Sequence, residues 1–282
     1  MEKLMIVDGS NLLFQMFYGM PARIINEQGK AIHGTLGFVG ALLKIIRMVQ
    51  PTHAAVLFDG EYVSVRSGID PEYKGNRTDY SQMAEDDTPF SQLPDICAAL
   101  DFMGIRRCET TSCEVDDWIA GYAETYGDQI KTVIVSQDSD FFQLIRDQVS
   151  VLRYRGKNSV LCDPAYIQQK LGIPPEQYAA YKALTGDTAD NIRGVDKVGP
   201  KTAAALIQQF GNLDNLLERA DSIQKPSVRA SVLESKERIR KNYALIHLTG
   251  AEPIPLALEE LRYRYDGVTT TEVLRAIGLK ST

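Results

Sequence analysis

Cysteine and histidine are scarce in this sequence of 282 residues, which holds four cysteines and three histidines. No two cysteines form a CxxC pair, so the sequence predicts neither a zinc finger nor a disulfide framework. No apolar run approaches the roughly 20 residues that a membrane-spanning helix requires. The N-terminal MEKLMIVDGSN reaches an aspartate at position 8, which is not typical of a signal peptide. We therefore expect a protein of the reducing cytoplasm without a membrane partner.

Positive charge is also in short supply, because 31 basic residues face 37 acidic ones and the net charge is −6. Such acidity is at first sight unfavourable for nucleic-acid binding. Nine of the acids are assigned below to one metal site, and without them 31 basic residues face 28 acids. The stretch from Asn191 to Asn242 itself holds ten basic and six acidic residues. The overall acidity therefore does not exclude DNA as a partner.

Short apolar runs flanked by helical patterns are the clearest structural signal. The runs at residues 4–7, 54–58 and 132–135 have the pattern of buried parallel strands, and residues 105–108 and 149–154 could supply two more. The sequence therefore predicts an α/β fold with a mostly parallel central sheet flanked by helices.

Beyond residue 160 the pattern changes and predicts helices without strands, among them one long helix over residues 227–248. We place a soft boundary near Thr185, which divides the chain into residues 1–185 and 186–282. Residues 62–89 have little periodicity and many turn-forming residues. A loop of this length inside a compact domain is usually functional or mobile.

Carboxylates occur where the predicted elements begin or end. Asp8, Asp59 and Asp138 follow strands, and the carboxyl ends of parallel strands form the functional edge of such a sheet. Helix capping or turn chemistry explains each acidic group as well as function does when the groups are taken singly. Taken together they favour metal binding, because Mg²⁺ prefers oxygen ligands and two ions about 3.5–4 Å apart need carboxylates from several segments.

Competing chemistries have little support. The sequence contains neither a GxSxG nor an HExxH motif. The segment GVDKVGPKT at residues 194–202 approaches the phosphate-binding pattern GxxxxGK[ST], but Pro200 interrupts it and no predicted strand precedes it. Nucleotide binding by a P-loop is therefore disfavoured.

Seven short motifs follow one another in a recognisable order: LMIVDGSN, LFDG, PEYKGNR, CEVDD, SQDSDFFQL, LTGDTADN and GVDKVGPKTA. In them the sequence resembles the 5′-nuclease (flap endonuclease) family, specifically the bacterial 5′→3′ exonucleases found at the N-terminus of DNA polymerase I and in phages. The resemblance covers about residues 4–250. It implies a PIN-like fold with a helical arch over about residues 62–92 and a C-terminal helix-hairpin (helix-3-turn-helix) region. Nothing similar to the polymerase portion follows Thr282, so we expect a free-standing nuclease or a part of a longer chain.

The resemblance also implies a role for each acid. The first metal ion would be held by one set, with Asp117 close by, and the second ion by another: Asp8, Asp59, Glu114 and Asp116 in the first, and Asp138, Asp140, Asp187 and Asp190 in the second. Two or more Mg²⁺ ions are implied, with Mn²⁺ as a substitute and a monovalent cation allowed at the helix-hairpin. The complete second set favours an active enzyme over a poorly catalytic paralogue that only binds branched DNA. The helix-hairpin region counts against a related metal-dependent ribonuclease.

The basic residues implied to act on DNA lie in two segments. Arg66, Lys74 and Arg77 belong to the arch and are the predicted catalytic cations, of which Lys74 and Arg77 would neutralise charge on the scissile phosphate. Glu85, Asp86 and Asp87 make part of that arch acidic. The helix-hairpin would bind duplex backbone through exposed N–H groups, a helix N-terminus and two lysines; its residues are Gly194, Lys197, Gly199, Lys201 and Thr202.

The implied activity is two-metal hydrolysis of phosphodiester bonds near free 5′ ends or 5′ flaps, with a 5′-phosphate left on the product. One ion would lower the pKa of a bound water, and the other would stabilise the leaving 3′-oxygen. We expect branched, nicked or 5′-ended duplex DNA as the substrate, with RNA–DNA hybrids as a further one, and a monomeric enzyme.

Overall fold

A computed structural model describes residues 2–62, 64–84 and 87–280 of the chain. Glu85 and Asp86, two of the three acids predicted to make the arch acidic, lie outside the described residues. The helices are α1 Gly9–Gly19, α2 His33–Val49, α3 Val65–Ile69, α4 Leu93–Phe102, α5 Val115–Tyr126, α6 Pro164–Leu171, α7 Tyr178–Thr185, α8 Pro200–Phe210, α9 Leu213–Glu218, α10 Pro226–Glu234, α11 Lys236–Ile246 and α12 Thr270–Ala276. The strands are β1 Lys3–Asp8, β2 His53–Phe58, β3 Arg106–Glu109, β4 Lys131–Val135, β5 Val149–Arg153, β6 Val160–Cys162, β7 Gly186–Asp187 and β8 Ile192–Arg193.

Six strands form the central sheet in the order β3-β2-β1-β4-β5-β6. All neighbouring pairs are parallel except β5 and β6, so the predicted mostly parallel sheet is confirmed. β1 lies in the middle, where residues 4–8 pair with residues 53–57 of β2. Because the strands run in the same direction, the ends of β1, β2 and β4 meet at one edge of the sheet.

Helices cover both faces of the sheet, which explains why its central strands are apolar throughout. Successive side chains of a strand point to opposite faces. Leu4 and Ile6 accordingly pack in a core with α5 and α7, whereas Met5 and Val7 pack in a core with α1, α2 and α4. Asp8, the next residue, is the last residue of β1 and lies at the carboxyl edge of the sheet.

Several sequence predictions differ from the structure in the C-terminal part. Three short strands, β6, β7 and β8, occur after residue 159, so the prediction of helices without strands there is wrong. Two- and three-residue strands carry too little periodicity to be recognised. The predicted helix over residues 227–248 is two helices, α10 and α11, with a break at Ser235.

The predicted helical arch segment consists of short helices joined by turns. It contains α3 and the 3-10 helices Tyr80–Gln82 and Pro89–Gln92 among its described residues. Its first part packs on α11, where the Arg66 guanidinium donates to the Leu245 carbonyl at 3.0 Å and Lys241 pairs with Asp70 at 2.7 Å. The segment therefore connects the carboxyl edge of the sheet to the C-terminal helices.

The chain after α11 returns to the sheet. The Tyr263 N–H donates to the Thr52 carbonyl at 2.8 Å, and α12 packs against α2 and α4. Within the part of the chain that the structure describes, no helix combines the length and the apolarity needed to cross a bilayer.

Candidate active site

Asp8 is the most central of the predicted acids. It ends β1 and caps α1, because its Oδ1 accepts a hydrogen bond from the Asn11 N–H at 2.9 Å. Its Oδ2 accepts one from the Ser136 hydroxyl at 2.8 Å, and only 4% of the residue is exposed. Burial, together with the nearby charges of Asp59 and Asp138, raises the pKa of Asp8 to about 7. The fold thus holds this carboxyl in place through neutral donors.

Asp59 follows β2 and fastens that strand to α5. Its Oδ1 accepts hydrogen bonds from the Val115 N–H at 2.9 Å and from the Tyr62 hydroxyl at 3.0 Å. The first N–H groups of a helix have no partner within the helix. Asp59 supplies that partner for α5 and so fixes the start of α5 against the sheet edge.

Glu114 lies at the start of α5 but does not cap it; its side chain turns into the site instead. It accepts hydrogen bonds from the Ser64 hydroxyl at 2.6 Å, the Tyr73 hydroxyl at 3.2 Å and the Lys74 ammonium at 2.5 Å. Burial alone would raise the pKa of Glu114, but the charges of Lys74 and Arg66 hold it below its usual value. Glu114 is therefore the most strongly paired acid of the first set.

Asp116 and Asp117 are neighbours in α5 with different surroundings. Asp117 makes a bidentate ion pair with the Arg66 guanidinium, at 2.7 and 3.0 Å. Burial raises the pKa of Asp116 well above its usual value, and the charges of Asp138 and Asp8 raise it further. The electrostatic interaction of Asp116 with acids from β1 and from the segment after β4 means that these three segments converge.

Asp138 and Asp140 follow β4 in a tight turn that leads into the 3-10 helix Asp140–Leu144. The Asp140 N–H donates to Asp138 Oδ1 at 2.8 Å. The buried Oδ1 of Asp140 has no hydrogen-bond partner among the residues that the structure describes. Burial and the charge of Asp138 raise the pKa of Asp140 well above its usual value. A buried, unpartnered carboxylate oxygen is costly unless a cation or a proton compensates it.

Asp187 is the last residue of β7, and Asp190 lies in the turn that joins β7 to β8. Asp187 pairs with Lys182 of α7 and accepts a hydrogen bond from the Ala189 N–H at 2.9 Å. Asp190 pairs with the Arg77 guanidinium at 3.0 Å and lies 3.5 Å from the Tyr73 hydroxyl. Both acids of this turn are thus held by basic side chains from other segments.

The structure brings the nine predicted acids toward one edge of the sheet but does not close them around an ion. Within the described residues, no group of three or more His, Cys, Asp or Glu side chains is arranged to hold one metal ion. The predicted arch cations lie among the acids: Lys74 on Glu114, Arg66 on Asp117 and Arg77 on Asp190. The assignment of individual ligands therefore stays a prediction.

Sequence reasoning missed five side chains that hold these acids: Tyr62, Ser64, Tyr73, Ser136 and Lys182. Tyr73 and Ser136 fall inside the motifs PEYKGNR and SQDSDFFQL, so the motifs could have indicated them. Lys182 carries no such signal, because it lies in the middle of α7 and reaches Asp187 only through the fold.

The predicted helix-hairpin residues lie in the loop between β8 and α8 and in the first turn of α8, which contains Lys201 and Thr202. Val195 and Val198 are buried and anchor it, while Lys197 and Lys201 are exposed. A Cβ at Gly194 would collide with the backbone of Thr185 and Gly186, so only glycine allows this close approach. The loop presents Lys197 to solvent and the first turn of α8 presents Lys201, and their contact with DNA stays a prediction.

Comparison with known proteins gives one consistent result along the chain. The family model described as "5′-3′ exonuclease, N-terminal resolvase-like domain" matches residues 3–172, and "5′-3′ exonuclease, C-terminal SAM fold" matches residues 173–267. DNA polymerase I of Bacillus subtilis is 32% identical over 268 residues, which cover 93% of this chain and 30% of that protein. DNA polymerase I of Rhizobium leguminosarum is 34% identical over 270 residues, which cover 92% and 26%. The chain therefore spans less than a third of the length of these relatives.

Solved structures agree with the family models. The T5 5′-exonuclease with bound divalent metal ions (zinc) is 26% identical, with a TM-score of 0.72 over 88% of this chain and 90% of that chain. The bacteriophage T5 D15 flap endonuclease in a pseudo-enzyme–product complex with DNA and metal ions is 23% identical, with a TM-score of 0.73 over 98% and 99%. At that identity the second likeness shows the fold, and the predicted fold class is confirmed.

Proposed function

This chain belongs to the 5′–3′ exonuclease family, whose members are structure-specific 5′-nucleases, and on that premise we propose that it hydrolyses DNA near free 5′ ends and 5′ flaps with the aid of Mg²⁺. The products would carry 5′-phosphates. The observation that carries the proposal is the convergence of acids from β1, β2, α5 and the segment after β4 at one edge of the sheet.

The donor set fits divalent cations. All the converging side chains offer carboxylate oxygens, which hard cations prefer. Burial raises the pKa values of Asp8, Asp116, Asp138 and Asp140, so these groups carry an unfavourable charge that a cation would stabilise. The unpartnered Oδ1 of Asp140 adds a buried acceptor in need of a positive partner. The zinc ions of the related T5 5′-exonuclease agree with a divalent metal, and Mn²⁺ would be a substitute for Mg²⁺.

We assign two sets of ligands. The first ion would be held by Asp8, Asp59, Glu114 and Asp116, and the second by Asp138, Asp140, Asp187 and Asp190. Such ions, when bound, activate a water for attack and stabilise the charge of the leaving oxygen. Lys74 and Arg77 stand beside these acids and would place positive charge next to the phosphate. Arg66 is held by Asp117 and the Leu245 carbonyl, so its role would be to fix the position of the arch relative to α5.

Two regions of the chain would share the work. Residues 1–185 would form the nuclease part, and residues 186–282 would bind the duplex beside the cleavage position. Lys197 and Lys201 would attract backbone phosphates, and the exposed N-terminus of α8, including Gly199 and Thr202, would add N–H donors. Such contacts position DNA without reading its sequence. Nicked, flapped and RNA–DNA hybrid duplexes would all present the backbone that this surface contacts.

The decisive experiment compares 5′-labelled flap, nicked and single-stranded DNA with and without Mg²⁺. We expect products with a 5′-phosphate, cut near the junction or the free 5′ end, and no cleavage in chelator. The Asp8→Ala variant tests the site, and Asp128→Ala, which removes an exposed acid far from the cluster, is its control. Cleavage in chelator, or full activity of Asp8→Ala, would contradict the proposal; binding of branched DNA without cleavage would instead indicate a binding module.

A further inference from the structure

Lys74 stands between the two sets of acids. Its Nζ lies 2.5 Å from Glu114 Oε2, and its backbone N–H donates to the Asp190 carbonyl at 3.0 Å. Burial lowers the pKa of the Lys74 ammonium, but the charges of Asp116, Glu114 and Asp190 outweigh it and raise that pKa. One side chain therefore supplies positive charge to acids assigned to both ions.

Glu114 Oε2 already has a crowded set of partners. The Lys74 ammonium lies at 2.5 Å, the Tyr73 hydroxyl at 3.2 Å and the Arg66 guanidinium at 3.4 Å. A Mg²⁺ ion would need the same oxygen at about 2.0–2.1 Å. An ammonium and a divalent ion bound to the same oxygen repel each other strongly. Lys74 and Mg²⁺ therefore cannot both contact Glu114 Oε2 at the same time.

Two cations of the arch, Arg66 and Lys74, differ in how firmly their side chains are held. Arg66 has two bonds to Asp117 and one to the Leu245 carbonyl, so its guanidinium is fixed from several sides. The Lys74 backbone N–H is bonded to Asp190 and the residue has a left-handed φ of 56°, but within the described residues its ammonium forms an ion pair with one acid, Glu114. A lysine stem is flexible, so the ammonium can leave Glu114 while the backbone stays in place.

From these contacts we propose that Lys74 and a divalent cation compete for Glu114, so that loading of the ion releases the Lys74 ammonium toward the substrate phosphate. This inference rests on the proposed function of the site. Its consequence is an order of events: the positive charge meant for the phosphate becomes free only when the site holds its ion. DNA that arrives before the ion would meet a lysine already neutralised by Glu114.

The first test measures Mg²⁺ affinity by titration calorimetry without DNA. Lys74→Met removes the competing ammonium. We expect this variant to bind Mg²⁺ at least about tenfold more tightly than the wild type, because the repulsion between an ammonium and a divalent ion a few ångströms apart weakens binding by that much even at the dielectric constant of water. Lys74→Arg retains the charge and should stay within about threefold of the wild type. Lys241→Met is the matched control, since it removes the same charge from the Asp70 ion pair and should leave the affinity unchanged.

The second test uses the wild-type protein and a carbodiimide, a reagent that activates a carboxylate so that it forms an amide bond with an amine in contact with it. We expect a Lys74–Glu114 cross-link in chelator that diminishes as Mg²⁺ is added. The Lys241–Asp70 pair, with its atoms 2.7 Å apart, is the internal control and should cross-link equally at all Mg²⁺ concentrations. Mass spectrometry of the peptides measures both yields and needs no variant.

The outcomes separate the inference from the proposed function. If the wild type binds no divalent ion at all, the proposed function fails. If Mg²⁺ binds but Lys74→Met binds it no more tightly than Lys241→Met does, competition is wrong. A Lys74–Glu114 cross-link that is absent in chelator while Lys241–Asp70 forms, or one that persists in saturating Mg²⁺, also overturns the inference.

Discussion

Two groups of carboxylates in this site are held in opposite ways. Asp8 and Asp59, at strand ends, accept hydrogen bonds from neutral groups: the Asn11 and Val115 N–H groups and the hydroxyls of Ser136 and Tyr62. Asp187, the last residue of the two-residue strand β7, and Asp190, in the turn from β7 to β8, are held by ion pairs with Lys182 and Arg77. We call Asp8 and Asp59, at the ends of central-sheet strands, the strand-end acids, and we call Asp187 and Asp190, at the β7–β8 connection, the turn acids.

The difference shows what each region can do when a cation arrives. Neutral donors do not compensate the negative charge of the strand-end acids. These carboxylates therefore repel one another, and a bound cation would reduce that repulsion. The turn acids are already neutralised, and a cation must displace or share with their basic partners. We therefore expect tighter ion binding at the strand-end acids than at the turn acids, with the second ion stabilised by substrate phosphate.

The largest expected effect comes from removing a strand-end acid. Asp8→Ala should lower cleavage by roughly 10³-fold or more, because it deletes an oxygen ligand at the centre of the site. Single-turnover rates on a flap substrate in saturating Mg²⁺ measure this, with Asp128→Ala as the control. A loss below about tenfold would mean that the strand-end acids are not the main ion site.

The next effect concerns Lys74, which contacts a first-set acid and is anchored to a turn acid. Lys74→Ala should slow the chemical step by about 10²–10³-fold, the usual cost of removing one positioned electrostatic stabiliser. DNA affinity in Ca²⁺, which should support binding without cleavage, is expected to change little. If the defect lies in Kd and the single-turnover rate at saturating substrate is normal, Lys74 only attracts phosphate.

A turn acid should matter less than a strand-end acid. Asp187→Ala should lower turnover by about 10²-fold while DNA affinity stays largely intact, since its ion would serve the reaction rather than hold the duplex. Calorimetry without DNA should find one tight Mg²⁺ site in both the wild type and this variant. Two equally tight sites in the wild-type protein would erase the distinction between the two regions.

The smallest effects are expected outside both groups, at the helix-hairpin loop. Lys197→Ala and Lys201→Ala should each weaken duplex binding to a similar degree on every sequence and reduce the slope of log K against log salt by about one unit. The cleavage rate at saturating DNA should be nearly unchanged. Exposed Arg264, on the C-terminal segment, offers a matched control as Arg264→Ala. Wild-type affinity and salt slope in both lysine variants would make the loop a structural turn only.

Much of the fold was predictable because its strands are buried on both faces. Runs such as residues 4–7 and 54–58 are continuous apolar segments, and the structure has strands there. The helix α1 was not predicted, because Asp8 caps it directly from the end of β1 and leaves no loop between them. The strands β7 and β8 were missed because two residues cannot show a period.

The sequence by itself determined which acids stand at the ends of strands, because the run before each aspartate identifies the strand and parallel strands share a carboxyl edge. The order of the motifs determined the family. Only the tertiary structure decided how each acid is held. Lys182 reaches Asp187 from α7, and Lys74 reaches Glu114 across 40 residues of sequence, so neither pairing has a local signal. Which acids keep their charge unpaired, and which are neutralised by a basic side chain, depends on these long-range contacts and on burial.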